Sequence, residues 1–235
     1  MTGALTAKIC ASIAVKDAEL LKDHVQKAFS AGADFVEIRF DFIRPEAMLR
    51  AMEATKEFRD KSVFTLRSSA QGGSFAGSEQ ERIEWLRKLA ELRPMLLDVE
   101  LDTLKNNDDL ADFLENHKTA VLVSWHDFQR TPSTEDIADI LSEMRVYGNY
   151  VKVVTMAQKA EDSIRLLDIY QDTMGLYPVI FAMGEAGVVS RVLCTIVGNA
   201  PFTYASVDGA VAPGQLTVGQ MRKLYDRIRI RNPQR

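Results

Sequence analysis

The sequence predicts a (β/α)8 barrel, the TIM-barrel class of α/β fold, and three observations carry that prediction. Short β-rich runs alternate with amphipathic helical stretches from one end of the chain to the other, giving eight units. The strand runs are too apolar to keep one face wet, as in a parallel sheet covered by helices. The length, 235 residues, suits eight such units in one domain spanning 1–235. A doubly wound sheet is the runner-up, weakened because no Gly-x-Gly-x-x-Gly follows the first strand.

Strands are expected at 8–14, 34–41, 62–67, 95–101, 119–126, 150–156, 177–183 and 202–207. Helical periodicity fills 17–31, 45–59, 78–92, 107–117, 134–146, 160–174, 187–198 and 217–229. Pro45 suits a first helical turn, and Ser78, Thr134 and Thr217 read as N-caps. Glu81, three residues after Ser78, completes a capping-box pattern. No Pro-, Gly- or Ser-rich linker divides the chain.

Composition narrows the function. The chain is 46% hydrophobic and 26% charged with a net charge of -4, which argues against nucleic acid as the main partner. The basic tail, Arg227, Arg229, Arg231 and Arg235, reads as a solvated helix end. Cys10 and Cys194 lie in apolar stretches outside any Cys-x-x-Cys, so buried thiols in a reducing compartment are expected. No signal-peptide pattern opens the chain and no apolar run approaches about 18 residues, so a cytoplasmic location without a membrane partner is expected.

Polar residues gather late in the strand segments, where barrel enzymes place their chemistry. Strand two alternates Glu37, Arg39 and Asp41 with Val36, Ile38 and Phe40, putting the charges on one face. Strand three ends at Arg67, suited to a substrate carboxylate or a neighbouring acid. Strand four carries Asp98, Glu100 and Asp102, and strand five ends Ser124-Trp125-His126-Asp127. Of three histidines, only His126 falls where chemistry is expected; His24 and His117 lie on helical stretches. A Gly-bearing turn from Met183 to Arg191 is suited to an anion, and the stretch from Asp208 to Gln215 to a lid.

Lys152 is the most informative of these residues. It interrupts the apolar run Tyr150-Val151-Lys152-Val153-Val154. Burial disfavours an ammonium and lowers its pKa, which suits an enzyme that needs a neutral amine. Such an amine attacks a ketone or aldehyde to give a Schiff base. The bland alternative is a strand-end lysine whose head reaches water. With an adjacent histidine as base and arginines for a carboxylate or phosphate, the set describes a Schiff-base lyase or aldolase. Arg39 or Arg67 nearby would depress the lysine further. A class I aldolase and a non-catalytic anion-binding barrel are the competing readings.

Taken together, the segments resemble the type I 3-dehydroquinate dehydratases. The matching residues are Glu37-Ile38-Arg39-Phe40-Asp41, Thr65-Leu66-Arg67-Ser68, Asp98-Val99-Glu100-Leu101, Ser124-Trp125-His126-Asp127, Val151-Lys152-Val153, Met183-Gly184 through Ser190-Arg191, and Ala212-Pro213-Gly214-Gln215. The resemblance implies a homodimer of barrels, without metal or organic cofactor. It also implies syn loss of water from 3-dehydroquinate to give 3-dehydroshikimate, on the route to aromatic amino acids. It further implies that Lys152 forms the imine and that His126 moves protons at the adjacent carbon and the departing hydroxyl. Glu37 would orient and tune His126. Arg39, Arg67 and Arg191 would bind substrate or arrange charge, with Arg191 on the carboxylate, and Gln215 would reach in from the last loop. Three positions depart from the family pattern: Gln71 where an acid is usual, Val211 where a hydroxyl is usual, and Trp125 before the histidine.

Overall fold

The computed structural model describes residues 7–209 and 212–228. Eight strands form one sheet: β1 Ile9–Ile13, β2 Phe35–Arg39, β3 Ser62–Thr65, β4 Leu96–Glu100, β5 Val121–His126, β6 Tyr150–Met156, β7 Tyr177–Met183 and β8 Thr203–Ser206. Their hydrogen-bonded order is β7-β6-β5-β4-β3-β2-β1-β8, every pair parallel. Around them lie α1 Leu21–Ser30, α2 Met48–Thr55, α3 Glu79–Glu91, α4 Leu101–Lys105, α5 Asp108–Asn116, α6 Thr134–Met144, α7 Ala160–Asp168, α8 Val188–Leu193 and α9 Val218–Arg227. The expected barrel forms, and it is nearly closed.

The helices differ from expectation where the apolar stripe stops. In α2, Met48, Ala51, Met52 and Thr55 are buried at helical spacing. The next six residues, Lys56–Lys61, bury none and tighten into a 3-10 turn. Likewise α7 gives way to the 3-10 turn Ile169–Asp172. Ser78 and Thr217 cap their helices in boxes with Glu81 and Gln220. The cap of α6 is Ser133, boxed with Asp136, one residue before the expected Thr134. Both cysteines are buried free thiols.

Two cores result from the period of two along each strand. One face of the strands packs outward against the helices, with Val36, Ile38, Val99, Val123, Val151 and Val153 among Leu86, Leu89 and Leu104. The other face fills the barrel floor with Cys10, Val63, Leu96, Leu122, Val179 and Phe202. Two residues further along several strands the same inward face turns polar: Ser12, Thr65, Asp98 and Ser124. Glu37 and Lys152 join them, likewise two residues on from Phe35 and Tyr150. The apolar layer keeps water from below, so the polar layer above it is a floor that chemistry can stand on.

Among the described residues no ladder joins β7 to β8. Side chains occupy that seam instead. Tyr170 Oη accepts from Ile180 N at 2.7 Å and donates to Ile180 O at 2.9 Å, and Ala182 N donates to Ser190 Oγ at 2.9 Å. Pro178 shares the parity of Ile180 and Ala182 and has no N–H to satisfy. At the mouth Gly184 N donates to Pro213 O at 3.2 Å. Gly214 permits this approach: its φ is +70°, and a Cβ there would lie 2.3 Å from Gly184 O.

Candidate active site

A cavity of about 150 Å³ opens above the apolar floor, lined by Glu37, Arg39, Arg67, His126, Lys152, Arg191 and Gln215. The structure therefore brings together every site residue expected from the sequence. Lys152 is the third residue of β6, beside Ser124 and Val179 in register, so it enters from the wall rather than from a strand end. It is only 4% exposed, which excludes the solvent-reaching alternative. Its Nζ donates to Asp98 Oδ2 at 2.5 Å, lies 3.6 Å from Glu37 Oε1, and stands 4.9 Å from the centre of the Tyr204 ring.

The charges paired with the amine differ in sign from those read in the sequence. The positive charge of Arg39 or Arg67 was expected beside the amine, yet its ion-pair partners are the carboxylates Asp98 and Glu37. Arg39 is held by Asp41 through bonds of 2.8 and 2.7 Å. Asp41 can do this because β2 ends at Arg39 and the next residues turn, folding the carboxylate back. Arg67 lies two residues beyond β3 and donates to Asp98 Oδ1 and Ser124 Oγ, each at 2.7 Å. Glu100 Oε1 is 3.5 Å from Arg67, and its other oxygen accepts from Arg82 at 2.8 Å. A buried charge without a partner is costly, so the fold supplies one for each cation on this side.

The titration behaviour follows. Burial raises Glu37, but Lys152 and Arg39 outweigh it and hold the carboxyl below its usual value. Burial likewise opposes Asp98, and Arg67 with Lys152 holds it well below the carboxylate range. Glu37 accepts from Ser12 Oγ at 2.8 Å and Thr65 Oγ1 at 2.9 Å. It makes no hydrogen bond to His126, so the expected orienting contact is absent from this structure; its oxygens are already committed. The half-buried His126 stacks on Phe128 at 5.8 Å, and its Nδ1 has no partner among the described residues. Burial, Arg67 and Lys152 push this imidazole well below its ordinary value, with Asp98 opposing. At neutral pH it is a neutral base.

Arg191 contrasts with the other cations. Buried on α8, its guanidinium lies 4.2 Å from the Phe181 ring, and Nε and Nη2 have no hydrogen-bond partner among the described residues. Burial pulls its pKa down to about 10, so it remains a cation. Gly187 makes room for α8, since a Cβ there would meet Ala182 O at 2.5 Å. What the Gly-bearing turn delivers to the cavity is thus a desolvated guanidinium that pairs with no acid among the described residues.

With this geometry fixed, comparison with known proteins is decisive. The family model described as Type I 3-dehydroquinase matches residues 9–232. The chain belongs to the type I 3-dehydroquinase family. A 3-dehydroquinate dehydratase of Dehalococcoides mccartyi is 36% identical over 228 residues, covering 95% of this chain and 96% of its own. One from Pyrococcus abyssi is 31% identical, covering 87% and 92%. The crystal structure of 3-dehydroquinate dehydratase from Geobacillus kaustophilus shares the fold at a TM-score of 0.87, with 22% identity over 97% of this chain and 93% of that one. The Aquifex aeolicus structure aligns at 0.78 with 27% identity over 94% and 98%.

Two of the departures from the type I pattern have structural content. Gln71 lines the cavity; its Nε2 donates to Asp102 Oδ2 at 3.4 Å, and its Oε1 is buried without a hydrogen-bond partner among the described residues. Trp125 packs against the outer core, facing away from the cavity. Val211 lies outside the described residues.

Sequence reasoning missed Asp98 as the counter-ion of the amine, Arg82 behind Glu100, and Tyr204 beside Lys152. Arg82 did leave a signal, because it shares helical spacing with Leu86 and Leu89 on α3.

Proposed function

We propose that the chain is a 3-dehydroquinate dehydratase that works through a Schiff base on Lys152. The observation that carries this reading is a buried amine sharing one cavity with a neutral histidine and a desolvated guanidinium. Arg191 binds the substrate carboxylate, and Gln215 reaches its polar groups from the last loop. The amine attacks the ketone without its proton, and neutral His126 takes that proton, since Glu37 and Asp98 are held ionised. The carbonyl oxygen gains two protons and leaves as water, giving an iminium whose charge lies where Asp98 and Glu37 already balance a cation. His126 then removes a proton from the adjacent carbon, and the electron pair forms an enamine. Departure of the hydroxyl, protonated by His126, completes a syn elimination; hydrolysis returns the lysine and the product.

Treatment with borohydride and 3-dehydroquinate is expected to inactivate the protein and to add ligand mass to the peptide containing Lys152. A label on another lysine refutes the assignment. A coupled assay offering 3-dehydroquinate against sugar phosphates separates this reading from a class I aldolase. The proposal extends to a cytoplasmic homodimer of one-barrel chains needing no metal or organic cofactor; a solution mass equal to the 26.3 kDa chain refutes the dimer. No helix among the described residues is long and apolar enough to cross a membrane.

A further inference from the structure

Tyr204 is the second residue of β8 and enters the cavity beside Lys152. Its ring is fixed by Phe202, edge-on at 5.6 Å, and by Phe181, tilted at 6.1 Å. The residue is 4% exposed, and its Oη is buried with no hydrogen-bond partner among the described residues. Phenylalanine would fill the same space without that penalty, because an unsatisfied buried hydroxyl costs folding free energy. The other hydroxyls around the amine are spent: Ser12 and Thr65 donate to Glu37, and Ser124 donates to Asp98. Tyr204 holds the one uncommitted hydroxyl on this wall among the described residues.

We propose that Tyr204 is a substrate-contacting catalytic residue, whose hydroxyl donates a hydrogen bond to the oxygen of the ketone that Lys152 attacks. The inference rests on the Schiff-base reading above. As the C–N bond forms, the carbonyl π pair moves onto that oxygen, where a donor aimed beforehand is most effective. The oxygen takes its protons from the lysine nitrogen and His126 and leaves as water; Tyr204 lends a hydrogen bond and keeps its own proton. Burial, then the charge of Glu37, pushes the phenol well above its ordinary value, which keeps it a donor. The ring centre stands 4.9 Å from Nζ, so Tyr204 lines the wall from which the new bond forms.

Tyr204→Phe removes the hydroxyl and keeps the ring. With 3-dehydroquinate, the borohydride-trappable adduct on Lys152 is expected to form about tenfold more slowly or worse, with a matching fall in kcat/KM. The thermal midpoint is expected to stay level or rise, since an unsatisfied group has gone. Unchanged adduct formation and kcat/KM overturn the proposal. So does a falling midpoint with unchanged adduct formation, which assigns the hydroxyl to the fold. A wild-type protein that forms no adduct refutes the Schiff-base reading instead, so the two fail separately.

Discussion

The two sides of the cavity handle charge in opposite ways. From β2 to β6, each cation meets an acid: Arg39 with Asp41, Arg67 with Asp98 and Glu100, Arg82 with Glu100, Lys152 with Asp98 and Glu37. On α8, Arg191 is equally buried and pairs with no acid among the described residues. The balanced side is complete without a ligand and fixes the reacting groups. In the proposed function an anion completes the unbalanced side, and its desolvation is spent in advance on binding.

The largest expected effect lies between the two sides, at His126. His126→Ala is expected to lower kcat by about 10²–10⁴, the range for positioned acid–base catalysis. A near-normal kcat would remove the base from the mechanism. Next comes a paired comparison of stability by denaturant unfolding. Arg67→Met leaves Asp98 and Glu100 short of a counter-charge and is expected to cost about 3–5 kcal/mol. Arg191→Met removes a cation that pairs with no acid among the described residues, so stability is expected to hold or rise while KM climbs about 10–100-fold, as for a charge-assisted hydrogen bond. Equal losses of stability in the two variants would break the comparison.

The smallest effect is a shift in pH profile. In the proposed mechanism His126 serves as base only when neutral, and its pKa is pushed well below 6.5, so the acid limb of kcat/KM is expected well below 6.5. Gln71→Glu adds a carboxylate to the same cavity, beside a Gly72 that abuts the Phe128 stacked on His126. A negative neighbour favours the imidazolium, so the limb is expected to move upward. An unmoved limb would place Gln71 out of reach of the histidine.

Lys152 and the βα rhythm were legible because each breaks or keeps a local period: a charge in an apolar run, and eight alternations of pattern. The strand-end acids were legible as a face but not as partners. Lys152 meets Asp98 across 54 residues and Arg67 meets Asp98 across 31, contacts that the barrel's stagger decides. Tyr204 was missed because an aromatic in a strand reads as core, which it also is. Helix ends were misjudged at 56–61 and 169–172, where the charged and polar pattern continued after burial had stopped or thinned.

The unladdered seam between β7 and β8 has a consequence of its own. A strand edge with free amides is a template for foreign strands, and proteins cover it for that reason. Here Tyr170 and Ser190 silence the edge with their hydroxyls, and Pro178 carries no donor. The joint is chemically sealed yet mechanically soft. Parting β7 from β8 breaks no strand-to-strand bond; it strains the contact of Phe181 with Tyr204 and the bond from Gly184 to Pro213. Arg191 lies on the Phe181 ring of β7 and Lys152 on the Tyr204 ring of β8, so breathing along this line changes the span between guanidinium and amine. Amide exchange at Ile180 and Ala182 reads that breathing directly.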